Sequence, residues 1–204
     1  SGVIRQRGKY IGRFGKKESV YDLLQQTVDA LTQDIGISSL YNPIDLYSGE
    51  EIDPEIETEK VNNLAFYLKT LKAPIQRIQE DLEVIYGKSL FASISCTSCH
   101  KPQLTTGNAP IAALAFKEFY PYTDLLLHDM GPELDDGYTE GSAKTYEWRT
   151  APLWGLGLSP NAQGGQYFLM HDGRARSIEE AIEMHGGEAA QSRELYRNLS
   201  SNDK

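Results

Sequence analysis

The residues best able to do chemistry lie at one point of the chain, in the sequence Cys96-Thr97-Ser98-Cys99-His100. Two thiols with this spacing can form thioether bonds to the two vinyl groups of one haem, and the adjacent histidine then lies under the iron as an axial ligand. The chain has two cysteines in all. The motif therefore predicts one covalent haem c, with Cys96 and Cys99 as its attachment points and His100 as an iron ligand.

Two other sites can use a C-x-x-C pair, and both fit this sequence less well. A thioredoxin-like redox motif is expected within a βαβ unit, whereas the residues before Cys96 have a helical pattern. A structural zinc site needs four ligands and usually a second pair of cysteines, which this chain does not have. Chance occurrence of the motif is a third alternative.

A six-coordinate haem needs a second axial ligand from elsewhere in the chain. The histidines and methionines that could serve are His128, Met130, Met170, His171, Met184 and His185.

The last clear helical pattern separates the final two of these candidates. Ser177 followed by Glu180 predicts a capping box, and Gly186-Gly187 predicts the helix end. At about 100° per residue, His185 shares the apolar face of this helix, whereas the rival Met184 points away from it. We therefore predict His185 as the second metal ligand; two imidazole ligands should give a lower potential than a histidine and a methionine.

Further residues are candidates for contact with the porphyrin and its propionates. Arginine matches carboxylate geometry, and large aromatic side chains can pack on the ring. The cofactor-binding candidates of this kind are Arg149, Arg174 and Trp154, with Arg176 and Trp148 as further possibilities. We interpret His128 and His171, each followed by an aspartate, as structural or supporting residues.

The composition of the chain limits the classes of partner that it can bind. The net charge of −9 argues against nucleic acid, because nothing in such a chain would release counterions from a phosphate backbone. No apolar run is long enough to cross a bilayer, so no transmembrane segment is predicted. An acidic surface could meet a basic partner through electrostatic steering, although solubility alone also explains it.

Apolar spacing predicts three earlier helices. The first is capped by Ser19 or Asp22, the second covers 61–71, and the third runs from about Pro74 or Arg77 to Phe91. Residues 101–170 show no sustained period, and so long an irregular stretch requires something besides secondary structure to organise it. A large flat cofactor wrapped by loops would do so.

Four long motifs resemble the bacterial di-haem oxidoreductase family, whose members are described as peroxidases and sometimes as thiol oxidoreductases. They lie at 120–131, 147–157, 171–176 and 185–189, and the segment 12–15 is similar to the family's linker between its two haem regions. The end of the chain is also similar to di-haem cytochrome c peroxidases. In those, a methionine fourteen residues after the His-Asp-Gly histidine ligates the electron-transfer haem; here that position is His185.

The resemblance implies a C-terminal haem domain of a longer parent protein, since family members carry a second C-x-x-C-H in an N-terminal domain. We expect a mainly α fold: a cytochrome c-like helical domain with long irregular loops over 76–204, after a helical lead-in or linker region over 1–75. Its expected role is electron relay from a small electron-donor protein to the upstream haem domain, in the periplasm or another extracytoplasmic compartment.

Two other functions remain open at this point. One is an autonomous monohaem redox protein or enzyme with an open or labile axial position. The other is a non-redox module that binds a metal or a partner through His128, His171 and His185.

Overall fold

The computed structural model describes residues 11–204, in which six α-helices and two small antiparallel sheets are joined by long loops. The first ten residues of the predicted lead-in lie outside this range. The helices are α1 Leu23–Ile35, α2 Thr58–Thr70, α3 Leu82–Ser93, α4 Ser159–Ala162, α5 Ile178–Glu183 and α6 Ala190–Arg197. Helix is thus the main regular structure, as predicted, and no helix of the described part is long and apolar enough to cross a membrane.

The first two helices pack against each other through a small apolar core. Val28 and Leu31 of α1 meet Val61 of α2, which is completely buried. Of the two caps that the sequence allowed, Asp22 rather than Ser19 caps α1, by accepting a hydrogen bond from the Gln25 backbone N–H. The helix ends at Gly36, whose φ of 69° lies in the left-handed region that favours glycine.

The third helix begins later than predicted. It starts at Leu82 rather than near Pro74 or Arg77, because the Asp81 side chain caps it by accepting from the Glu83 N–H. Helix α3 then runs into a 3-10 turn over Cys96–Ser98, so the C-x-x-C-H motif lies directly after a helix.

The segment from 101 to 170 is mostly irregular, as predicted, and contains four short strands. Strand β1 (Leu104–Thr105) pairs with β2 (Glu118–Phe119), and β3 (Leu127–Asp129) pairs with β4 (Glu147–Arg149). The register of the second sheet places His128 opposite Trp148. Helices α5 and α6, the latter not predicted, follow and are joined by an ion pair between Glu183 and Arg197.

The start of the described chain packs against the second half of the molecule. The Arg149 backbone N–H donates to the Lys16 carbonyl, and the Arg149 Nε donates to the Gly15 carbonyl. The side chain of Lys17, only 2% exposed, pairs with Asp136. We call residues 13–20 the strap. It belongs to the predicted lead-in by sequence but contacts residues of the predicted haem half; the division at residue 75 stays a prediction.

Candidate haem site

A cavity of about 730 Å³ lies between α3, the loop after β4, the segment 168–171 and helices α5 and α6. Its walls are mainly apolar, and its volume lies within the range of about 300–1,000 Å³ usual for cofactor and ligand pockets. Cys96, Cys99, His100 and His185 all line it. The structure thus brings the attachment motif and the predicted second ligand to one cavity, although 85 residues separate His100 from His185 in sequence.

The rings of His100 and His185 lie close together, with their centres 6.5 Å apart and their planes tilted by 45°. Two imidazoles on opposite sides of one metal ion have centres about 6 Å apart, because each metal–nitrogen bond is about 2 Å long. The separation therefore suits an ion between the two rings.

Each of these two histidines is oriented by a backbone carbonyl. The His100 Nδ1 lies 2.9 Å from the Tyr122 carbonyl oxygen, and the His185 Nδ1 lies 2.7 Å from the Ala181 carbonyl oxygen. A carbonyl can only accept a hydrogen bond, so Nδ1 carries the proton in both rings and Nε2 keeps a lone pair. This is the arrangement that metal-binding histidines usually have.

Burial favours the neutral form of both rings. It lowers the pKa of His100 and of His185 below the usual value of 6.5, because desolvation disfavours the charged imidazolium. A histidine must be neutral to bind a metal, so this shift favours the state that ligation requires.

Phe91 of α3 and Tyr122 position His100 further. The Phe91 ring lies 6.2 Å from the His100 ring and 5.9 Å from the Tyr122 ring, centre to centre. Tyr122 has a φ of 54°, an uncommon conformation for a non-glycine residue, and its carbonyl is the one that accepts from His100.

The two cysteines lie on the rim of this cavity as free thiols, both partly buried. Burial raises the pKa of the Cys96 thiol. The Cys99 Sγ lies 3.7 Å from the His128 Nδ1. Together with the two imidazoles and the apolar walls, this donor set fits one haem c.

The remaining predicted residues divide into two groups. Arg149 and Trp154 line the cavity, and Trp154 also packs against Phe119 at 6.0 Å between ring centres. Arg174 does not line it: its guanidinium is paired with Asp172 at 2.6 Å on the surface. Met184 is not part of the wall either, whereas Met130 and Met170 are.

His128 and His171 also line the cavity, with neighbours that the sequence did not indicate. His128 lies between two carboxylates, with its Nε2 2.9 Å from Asp124 and its Nδ1 2.8 Å from Glu188. His171 stacks on Trp148, with ring centres 4.4 Å apart. Glu188 was not assigned a role from the sequence, although it lies within the motif 185–189.

Within residues 11–204, the one group of three side chains close enough to share a metal ion is Cys99, Asp124 and His128, whose ligand atoms lie within 4.8 Å of one another. His171 and His185 are not part of it. Since both ring nitrogens of His128 already contact carboxylates, this group is better described as a hydrogen-bonded cluster.

A sequence model of the family described as "Di-haem oxidoreductase, putative peroxidase" matches residues 7–204, nearly the whole chain. No curated protein and no solved structure matches.

Proposed function

Because this chain belongs to the di-haem oxidoreductase family, we propose that it binds one covalent haem c and relays electrons in a peroxidase-like oxidoreductase. In this proposal Cys96 and Cys99 carry the thioether bonds, and His100 and His185 are the axial ligands. The observation that carries it is the proximity of the His100 and His185 rings, whose centres are 6.5 Å apart, each with Nδ1 on a backbone carbonyl.

When bound, the haem supplies a one-electron couple between ferric and ferrous iron. The chain's own residues orient it and control its surroundings. The carbonyls of Tyr122 and Ala181 set the tautomer of each histidine and leave the lone pair on Nε2. The apolar side chains of α3 and α5 keep water away from the metal and so raise the strength of every charge interaction there.

Charge within the cavity wall also has a role in this proposal. Arg149 is fastened by its Nε to the Gly15 carbonyl, and burial lowers its pKa. A guanidinium in the cavity wall is suited to a propionate carboxylate, and we assign that contact to Arg149. Trp154 would pack against the porphyrin edge.

With His100 and His185 both holding the iron, electron relay would be favoured over turnover, because no position would be left for a substrate. The second haem of the family's name would then lie in a separate domain, with this chain passing electrons to it from a small donor protein. We further propose that residues 76–204 adopt a cytochrome c-like fold after a lead-in over 1–75. Covalent attachment requires extracytoplasmic machinery, which places the protein in the periplasm or an equivalent compartment.

The test is a pyridine haemochrome spectrum and an intact mass on protein matured with haem-attachment factors. We expect one haem per chain and a low-spin spectrum. Substituting His185→Ala should produce a high-spin spectrum, because one axial ligand is lost. The matched control Met184→Ala should leave the spectrum low-spin, because Met184 lies outside the cavity wall.

Three results would separate the alternatives. A low-spin spectrum in His185→Ala would remove His185 as the ligand. Rapid binding of carbon monoxide by the unaltered chain would favour an autonomous monohaem enzyme with an open position. Properly matured protein without colour, with stoichiometric zinc and with both thiols free to alkylate, would favour the non-redox module.

A further inference from the structure

The residues directly after His185 are docked on strand β3 by a short, close contact. A Cβ added at Gly186 would lie 2.7 Å from the Met130 carbonyl oxygen, closer than real side chains approach. A Cβ added at Gly131 would lie 2.9 Å from the Gly187 backbone nitrogen. Only glycines allow these backbones to approach this closely.

One carboxylate fastens this contact. The Glu188 Oε1 accepts a hydrogen bond from the Asp129 backbone N–H at 3.0 Å, and its Oε2 lies 2.8 Å from the His128 Nδ1. Glu188 thereby uses both oxygens on the same strand. Hydrogen bonds to charged groups are stronger than neutral ones, so the Glu188 carboxylate stabilises this contact and fixes its geometry.

His128 is itself held from the other side. Its Nε2 contacts the Asp124 carboxylate at 2.9 Å, and the His128 side chain is 16% exposed. The Sγ of Cys99 lies 3.7 Å from its Nδ1. His128 therefore connects the segment that carries His185 to the turn that carries the predicted haem attachment.

We propose that Glu188 and His128 form a latch that positions His185 and governs how readily its ring leaves the iron. This inference rests on the proposed function, because it concerns the second axial ligand of that site. Among the residues that precede His185, Ala181 holds the His185 ring through its backbone carbonyl. The position of His185 also depends on the residues that follow it, 186–188, whose docking the latch secures. Glu188 and His128 are positioning residues; neither coordinates the metal.

The experiment measures carbon monoxide binding to the ferrous, haem-loaded chain, since the gas can bind only when His185 has left. We expect Glu188→Ala to raise the binding rate about tenfold or more, because the segment after His185 loses both contacts to β3. Glu188→Gln should raise it less, since the amide oxygen can still accept from the Asp129 N–H. The double variant Glu188→Ala with His128→Gln should add little beyond the single changes, as expected for one coupled unit.

Glu194→Ala is the matched control. Like Glu188, Glu194 lies near the end of the chain and forms an ion pair, in its case with Arg197. The Glu194 side chain is 54% exposed, and that of Glu188 is 56% exposed. It should leave the rate unchanged. A second readout does not depend on iron: hydrogen exchange of the 127–131 backbone should become faster in Glu188→Ala and stay unchanged in Glu194→Ala.

The outcomes distinguish the latch from the proposed function. If the unaltered chain is low-spin and slow with carbon monoxide, and both Glu188 variants behave like it, the latch is wrong and the ligand assignment stands. If the unaltered chain binds the gas as fast as His185→Ala, the ligand assignment is wrong, and the exchange measurement alone decides whether Glu188 docks the segment. Should Glu188→Ala fail to fold, Glu188→Gln carries the same comparison.

Discussion

The two His-Asp pairs of this chain, His128-Asp129 and His171-Asp172, have the same local sequence and opposite surroundings. His128 lies between the carboxylates of Asp124 and Glu188. His171 lies against the Trp148 ring, and the nearest charges acting on it are the cations Arg149, Lys16 and Lys17. In neither case does the neighbouring aspartate set the charge of the histidine. The ionisation of a buried group follows from what the fold places beside it.

The two pKa values therefore move in opposite directions. The hydrogen bond that His128 donates to Asp124, followed by the contact with Cys99, raises the pKa of His128 to about 11. Desolvation, followed by the positive charge of Arg149, lowers the pKa of His171 to about 4. Both histidines line the same cavity, so one wall presents a cation near the attachment turn and the other a neutral ring.

The largest expected effect is the difference between the pKa values of His128 and His171. We expect imidazole NMR shifts to report His128 as protonated and His171 as neutral across the range between pH 4 and 11. A protonated His171 at pH 6, or a neutral His128 at pH 8, would break the comparison.

The same shifts affect stability with opposite sign. Because the folded pKa of His128 is above its ordinary 6.5, its contribution is complete below pH 6.5 and is lost as pH rises toward about 11. Because the folded pKa of His171 is below 6.5, its contribution is complete above pH 6.5 and is lost as pH falls toward about 4. His128→Gln should flatten the alkaline slope of unfolding free energy, and His171→Gln the acid slope.

The next largest effect concerns Trp148, the aromatic neighbour of His171. Trp148 stacks on His171, its ring centre lies 3.9 Å from the Lys17 ammonium, and its Nε1 donates to the Leu134 carbonyl. Trp148→Ala should lower the free energy of unfolding by about 3 kcal/mol, measured by urea denaturation. Trp154→Ala is the control, with an expected loss of about 1 kcal/mol, because Trp154 is 37% exposed. Equal losses would mean that the stack adds nothing specific.

The smallest effect concerns Asp124, a carboxylate partner of His128. Asp124 accepts from the Leu126 N–H through Oδ1 and pairs with His128 through Oδ2. Asp124→Asn preserves the first contact and weakens the second, so we expect a loss of about 2 kcal/mol at pH 7. Asp172 has the same two kinds of contact, with the Arg174 N–H and the Arg174 guanidinium, but on the surface. Asp172→Asn should cost less than about 1 kcal/mol, and an equal cost would contradict the role assigned to burial.

Local sequence was enough to predict several helices and much of the candidate site. Asp22 caps α1 and Ser177 caps α5 as expected, because a cap is a contact between residues three apart. The helix-face argument placed His185 in the cavity wall and Met184 outside it for the same reason. It failed where a competing cap was overlooked, at Asp81, which starts α3 later than the apolar pattern indicated.

Contacts between distant segments could not be predicted in this way. Glu188 was not identified, because its partners lie 59 and 60 residues away and no spacing rule connects them. Arg174 looked as suitable for a propionate as Arg149, yet Asp172 holds it on the surface. The strap, whose Lys16 Nζ donates to the His171 carbonyl, has no local signal for its position.

By itself, the sequence determined the chemistry available at Cys96, Cys99 and His100, the caps of α1 and α5, and the direction of His185. These depend on residue type and on neighbours within one helical turn. Only the tertiary structure decided that His185 lies beside His100, that Glu188 reaches His128, and that the histidines of two identical His-Asp pairs have pKa values shifted in opposite directions. Each of these depends on which remote groups share a low-dielectric space, and that is a property of the folded chain.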